Sequence, residues 1–355
     1  MRIGVDVRGL TVPLSGIGRY TKCILDELTN YPDVTWFLYA DRPILHSIEN
    51  PNVVVRQFEQ HNRLFSLIRT QFSFSRWARE DKIDIFWSPR HHLPLLLGSR
   101  IKKVVTIHDM VWVKYPETMI TTNRILESVL MPVSIKLADQ VIAVSHATKK
   151  DVAEYFKGTC SKINVIHEAV ENFDPAEDKP EVETYFLFVG TREPRKNLSS
   201  LIAAYKDYRA KGGSNNLIIV GARGWKQEDI AADSVSGLKI MGHVGDEKLA
   251  SLYRFADALL LPSLYEGFGL TALEAMQYGV PVIGSDRSAI PEVVGQGGIL
   301  VDPLSVDSLS KAMRDVSTDR ELQATLSRHA LEQASNFSWQ KAAKETMAVF
   351  IRVVA

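Results

Sequence analysis

The sequence predicts an α/β protein built from two parallel-sheet domains, and three observations carry that expectation. Short apolar runs alternate with amphipathic helical patterns in both halves of the chain. With 355 residues there is length for about two domains, each with an ample core. Between the halves, the acidic, proline-containing stretch 171–183, opening Glu171-Asn172-Phe173-Asp174-Pro175, packs poorly and reads as a linker.

The first domain is expected over 1–170. Its strands fall near 2–7, 34–39, 53–57, 83–87, 103–107 and 140–144, and a last one runs from Ile163 to His167. Helical patterns lie near 17–29, 62–80, 122–137 and 146–156. The second domain is expected over 183–336, with strands near 185–190, 216–220, 238–241, 258–261, 281–284 and 298–301 and helices between them. Two further helices, about 305–317 and 319–335, precede a break at Asn336-Phe337-Ser338. Ser338 is a good N-cap for a final helix, because its hydroxyl can accept a backbone N–H that has no partner inside the helix. Along that helix Ala342, Ala343, Met347, Phe350, Ile351 and Val354 recur at helical spacing.

Composition excludes more than it assigns. Lysine plus arginine and aspartate plus glutamate balance at 42 each, so no whole-protein field draws the chain to nucleic acid. Cys23 and Cys160 lack metal-like spacing and read as reduced core thiols. The N-terminus enters a strand directly, with no basic region and signal-length apolar run, and no apolar stretch nears the ~18 residues of a membrane span. A soluble, cytoplasmic protein is expected.

The most informative stretch is Pro262-Ser263-Leu264-Tyr265-Glu266-Gly267-Phe268-Gly269-Leu270-Thr271-Ala272-Leu273-Glu274-Ala275-Met276. An apolar strand, 258–261, runs into a glycine-punctuated turn and then a helical pattern. If the segment between Glu266 and Glu274 is mostly helical, its two carboxylates stand roughly 12 Å apart at ~1.5 Å per residue. That is about the span from sugar to ribose in a nucleotide diphosphate sugar. The carboxylates suit hydroxyls, and the amides of Gly267, Phe268 and Gly269 at a helix start suit a diphosphate.

Glu266 and Glu274 resemble the paired-glutamate signature of retaining glycosyltransferases of family 4. The likeness extends to Phe188-Val189-Gly190-Thr191-Arg192-Glu193-Pro194-Arg195-Lys196-Asn197, which resembles the family's phosphate-binding turn. It extends also to Gly279-Val280-Pro281-Val282-Ile283 and Ile290-Pro291-Glu292-Val293-Val294. The resemblance implies the GT-B architecture: two facing Rossmann-like domains, ligand in the cleft, and a C-terminal helix, 338–355, crossing back to the first domain. In open parallel sheets, sites form at the carboxyl ends of strands, where all these motifs fall.

The resemblance also assigns roles. Arg195 and Lys196 would hold the diphosphate and neutralise the departing nucleotide, with Arg195 rather than Arg192 in the arginine role and Thr191 where the family often has an arginine. Glu266 would face the donor sugar, Glu274 the ribose, and Gly190, Thr191, Gly267, Phe268, Gly269 and Leu270 the donor. His108, at the end of Val104-Val105-Thr106-Ile107, would reach the sugar through its ring or its backbone carbonyl, while Asp109 caps or orients the loop. Gly16 and Gly18, in Ser15-Gly16-Ile17-Gly18-Arg19-Tyr20-Thr21, half-resemble a dinucleotide fingerprint, but Thr21 replaces the third glycine. They read as a loop that lets a phosphate approach, with Arg19 on the helix surface.

No metal is expected, since the chain lacks the Asp-any-Asp triplet that holds a divalent ion on the diphosphate in the other main transferase architecture. Adjacent His91 and His92 in Ser88-Pro89-Arg90-His91-His92 would point to opposite sides of an extended chain and not share an ion; they could line the acceptor side. Residues 62–79 interleave arginines with aromatics. The run is either a helix with a buried aromatic face or a contact with the inner membrane surface.

The implied function is metal-independent transfer of a hexose, mannose from GDP-mannose, to a glycan or lipid-linked saccharide in surface polysaccharide synthesis. Thr271-Ala272 departs from the family's proline and apolar residue and alters the sugar pocket. Two alternatives share the architecture: a sugar-nucleotide 2-epimerase, and a catalytically silent carbohydrate-binding partner.

Overall fold

Thirteen strands, all paired in parallel, make two sheets in the computed structural model, which describes residues 1–58, 63–171, 173–174, 184–225 and 235–355, with the side chains of 63–67 left aside. The predicted linker, 171–183, lies almost wholly outside the described residues, as does Asn62. The chain divides into two units: Met1–Lys114, Thr121–Ala169 and Ser338–Ala355 form one, Tyr115–Ile120 and Val170–Phe337 the other. Residues 115–120, read from sequence as part of the first domain, thus belong to the second. Trp225 Nε1 donates to the Thr118 carbonyl at 2.7 Å, and the Tyr115 ring lies 5.8 Å from that of Tyr265. Contacts of this kind leave no mark on local sequence pattern.

In chain order the first unit contains β1 (Arg2–Asp6), α1 (Gly16–Leu28), β2 (Thr35–Ala40), β3 (Val53–Gln57), α2 (Arg63–Glu80), β4 (Ile85–Ser88) and β5 (Lys102–Ile107). There follow α3 (Val111–Lys114), α4 (Thr121–Leu137), β6 (Gln140–Ala143), α5 (His146–Tyr155) and β7 (Ile163–Val165). The sheet runs β3-β2-β1-β4-β5-β6-β7, so its order reverses between β1 and β4. The second unit contains β8 (Tyr185–Val189), α6 (Leu198–Ala210), β9 (Asn216–Val220), β10 (Leu238–Met241), α7 (Asp246–Arg254) and β11 (Ala258–Leu261). It continues with α8 (Leu270–Gln277), β12 (Val282–Ser285), α9 (Ile290–Val294), β13 (Gly298–Val301), α10 (Val306–Thr318) and α11 (Arg320–Ala334). Its sheet, β10-β9-β8-β11-β12-β13, reverses between β8 and β11.

The last helix, α12 (Trp339–Val354), packs within the first unit. Its Ala342, Ala343, Met347 and Phe350 join Ile24 and Leu28 of α1 and Trp36 and Leu38 of β2 in one core. Ser338 Oγ accepts the Lys341 N–H, as its N-cap role requires. Continuous apolar runs such as Tyr185–Val189, buried at every position, are what a strand covered on both faces needs. The second core gathers Phe186, Phe188, Leu201, Tyr205, Leu260 and Met313. Of the two cysteines, Cys23 is in the first core, but Cys160 is exposed in a short 3-10 turn, so the expectation of two core thiols fails for it. No helix among the described residues is long and apolar enough to cross a membrane.

Candidate functional site

Both strands that flank the reversal in the second sheet end in a motif turn. After β8, Gly190 has φ +148°, a conformation that strains any residue with a side chain, and a Cβ there would lie in ordinary contact with Lys196 Cε at 3.5 Å. Thr191 is exposed and Arg192 half-buried. A 3-10 turn, Pro194–Lys196, then presents two cations. After β11, the turn from Pro262 carries Glu266. Glu266 is 7% exposed and is gripped by both cations: Arg195 Nη1 lies 2.8 Å from one carboxylate oxygen and Lys196 Nζ 2.7 Å from the other. Arg195 also donates to the Tyr265 carbonyl at 2.6 Å and to Glu193 at 2.6 Å. Burial alone would raise the Glu266 pKa, but the adjacent charges of Arg195 and Lys196 overcome it and hold the carboxyl at about 2.

One backbone bond joins the two turns, and a side chain from the turn after β12 holds Glu266. The Leu264 N–H donates to the Arg195 carbonyl at 2.8 Å, and the Glu266 N–H to Ser288 Oγ at 3.0 Å. Asn197 adopts the left-handed conformation, φ 56° and ψ 41°, and its side-chain amide donates to the carbonyls of Pro262 (3.2 Å) and Pro303 (2.7 Å). It thereby ties the ends of three strands together. Asparagine tolerates this region better than most residues, which is the one local signal that could have marked it.

Two expectations need correction. Of the seven residues between Glu266 and Glu274, only Leu270–Leu273 are helical. α8 begins only at Leu270, with Gly269 (φ +114°) as N-cap, so the helical rise of ~1.5 Å per residue does not apply to Gly267, Phe268 and Gly269. The amides at the helix start are those of Gly269, Leu270 and Thr271, so of the three expected only Gly269 is among them. The Phe268 side chain is buried, with its ring centroid 5.7 Å from that of Phe337, so only its backbone could meet a ligand. Glu274 lies in the second turn of α8, half-buried, and accepts a hydrogen bond from Tyr253 Oη at 2.7 Å.

The first unit has its own cluster at the carboxyl ends of β4 and β5. His108 is buried and both its ring nitrogens are engaged: Nδ1 with Glu168 at 2.7 Å and Nε2 with the Pro89 carbonyl at 2.9 Å. Its own carbonyl accepts from Thr148 Oγ1 at 3.3 Å. Asp109 Oδ1 accepts the Val111 N–H at 3.1 Å and so orients the start of α3. His91 and His92 do not diverge. His91 Nδ1 and His92 Nε2 reach the same Glu127 oxygen, at 3.2 and 3.1 Å. The chain is bent there rather than extended, and the two rings use different nitrogens. His91 Nε2 accepts the His108 backbone N–H at 3.1 Å, so that nitrogen carries no proton and His91 is a neutral Nδ1–H donor. Glu127 and Glu168, isolated acids in the sequence, gave no motif by which to find them.

At the start of α1, Gly16 is exposed and Gly18 buried; a Cβ on Gly18 would meet the Gly9 carbonyl at 3.0 Å. Gly18 is therefore needed for packing, and Arg19 is half-buried rather than on the surface.

Residues 14–172 match the family model Glycosyltransferase Family 4, and residues 169–333 match Glycosyl transferases group 1. O-antigen chain mannosyltransferase B of Escherichia coli is 29% identical, over 98% of both chains. O-antigen chain mannosyltransferase RfbU of Salmonella typhimurium is 32% identical over 64% of this chain and 63% of its own length. Among solved structures, sucrose-phosphate synthase from Thermosynechococcus elongatus aligns with a TM-score of 0.78 at 20% identity, covering 99% of this chain and 98% of that one. Anabaena HepE, solved in complex with UDP and glucose, aligns at 0.73 and 20% identity, over 99% and 100%. The fold is therefore that of the GT-B transferases, and the two family models together span almost the whole sequence. The chain is a glycosyltransferase, its first half matching the Glycosyltransferase Family 4 model and its second half the Glycosyl transferases group 1 model.

Proposed function

We propose that this transferase moves mannose from GDP-mannose to a glycan or lipid-linked saccharide in surface polysaccharide synthesis, with retention of configuration and without a metal ion. The observation that carries the reading is the Arg195–Glu266–Lys196 cluster at the reversal of the second sheet, the position where ligands of such sheets bind. Two cations there neutralise the diphosphate as it departs. Glu266, kept ionised by the same cations, stabilises positive charge at the anomeric carbon. In a front-face displacement the departing phosphate oxygen takes the acceptor hydroxyl proton as the new C–O bond forms on that face. Glu274 holds the ribose hydroxyls. Because both ring nitrogens of His108 are occupied, its contribution to the sugar comes through the backbone carbonyl. The mannose assignment rests on the relatives that are named mannosyltransferases.

Thermal unfolding with GDP, UDP, ADP and their sugar conjugates, with and without a chelator, tests the reading. A ligand at ~100 times its dissociation constant adds ~2.7 kcal/mol, which is readily seen. A shift with guanosine ligands that chelation leaves unchanged is expected. A shift with UDP compounds alone overturns mannose transfer from GDP-mannose, and one abolished by chelation overturns metal independence.

A further inference from the structure

A helix covering a soluble domain normally hides its apolar residues and shows polar ones. On α4 both faces are apolar. Met131 and Ile135 are fully buried, while Ile125, Val129, Val133 and Leu137 are 36–59% exposed. These four are spaced by four residues, so they form a stripe that drifts slowly around the helix over roughly 18 Å. The loop after β4 continues it: the Leu93 N–H donates to Ser134 Oγ of α4 at 2.9 Å, and Leu95 and Leu96 are exposed. From there the Leu95 N–H reaches Gln71 of α2 at 2.7 Å, one residue from Phe72, itself 62% exposed, with Ile68 also exposed a turn earlier. Right-handed crossovers put the β3–β4 and β5–β6 connections on the same side of the first sheet, so the three pieces share a face. Eight of the 18 exposed large hydrophobics among the described residues are on it.

The same segments (68–80, 93–103 and 121–139) hold eight lysines and arginines against three acids, in a chain whose total charge is zero. Arg69, Arg100, Arg124 and Lys136 are exposed, and so is Arg76, which pairs with Glu80 at 2.6 Å. Of the acids, Glu127 is bonded to both histidines, and Asp139 accepts the Lys103 N–H. We infer that this face docks on an anionic phospholipid bilayer, the aliphatic stripe entering the headgroup boundary and the cations pairing with lipid phosphates. A second copy fits worse, because a two-fold contact would set an excess of positive charge against itself. The surface is carried by α4 and the β4–β5 loop as much as by the arginine-and-aromatic run 62–79. In that run Phe74 is buried, so its aromatics serve the core as well. The inference concerns where the enzyme works and does not depend on its donor or stereochemistry.

The test is co-sedimentation of the full chain with phosphatidylglycerol-containing vesicles and with pure phosphatidylcholine vesicles. The wild type should pellet with the first and not the second, and added salt should release it. I125Q/V129Q should lower the partition coefficient at least about tenfold. R124Q/K136Q should lower it by about fivefold per charge removed. Both variants should keep the wild-type melting point and its nucleotide-induced shift, since none of the four residues touches the transferase cluster. Failure of the wild type to bind anionic vesicles overturns the inference. So does equal binding by the variants, or a dimer seen by light scattering that I125Q/V129Q dissolves while no vesicle binding occurs.

Discussion

Replacing Glu266 with glutamine keeps the shape of the side chain and removes its charge, leaving Arg195 with Glu193 and taking from Lys196 the carboxylate it pairs with. A buried carboxyl drawn from its ordinary 4.5 to about 2 has its charged form favoured by about 3 kcal/mol. Breaking a buried ion pair costs about 3–5 kcal/mol by the same reckoning, because the stranded charge stays desolvated. At about 2–4 °C per kcal/mol for a unit of this size, E266Q should melt roughly 10 °C below the wild type. A diphosphate would then serve as the missing counterion, so GDP should raise the melting point of E266Q by more than it raises that of the wild type. Turnover should fall by about 10²–10³ if Glu266 stabilises developing charge. Scanning calorimetry with and without GDP, beside a transfer assay, reads all three. An E266Q protein melting within about 2 °C of the wild type would refute the energetic argument. A smaller GDP shift in the variant would refute the placement of the diphosphate on Arg195 and Lys196.

Stability should also depend on acid in a defined sense. The folded pKa of Glu266 lies below its unfolded value, so its contribution is complete above about pH 5 and is lost as pH falls from 4.5 toward 2; urea midpoints should fall more steeply from pH 7 to 3 in the wild type than in E266Q, which keeps only the slope of other paired acids such as Asp6 and Glu127. At Asn197, glycine keeps the left-handed backbone and loses two hydrogen bonds, whereas alanine loses both and adds strain. N197A should therefore be less stable than N197G by about 1 kcal/mol, and the reverse order in chemical unfolding would remove the clamp. S338A should cost about 1 kcal/mol by taking away the cap of α12, and an unchanged unfolding midpoint would show the cap idle.

The strands were legible because each is a short apolar run between turn residues, and the observed strands match them to within a residue or two. Ser338 announced its helix for an equally local reason. What escaped depends on residues far apart in sequence. Glu168 meets His108 across 60 positions and Glu127 meets His91 across 36, and nothing near either acid distinguishes it from a surface glutamate. The two histidines were misread because side-chain alternation holds for an extended chain and fails at the bend after β4. The start of α8 was misread because Gly267 and Gly269 were taken as a helix opening, whereas Gly269 at positive φ delays it to Leu270. The phosphate turn and Glu266 were found separately, but only the β8–β11 pairing reveals that their charges neutralise one another.

The placement of α12 bears on how the protein is made. Residues 1–114 and 121–169 leave the ribosome long before 338–354, yet their core includes Trp339, Met347 and Phe350. All the segments of the second unit, by contrast, are available once residue 337 has emerged. The unit that begins first must therefore wait, incompletely covered, until the last helix is synthesised, and the later unit can finish ahead of it. Losing α12 through an early stop codon should thus damage the amino-terminal sheet, hundreds of residues upstream, and spare the neighbouring one.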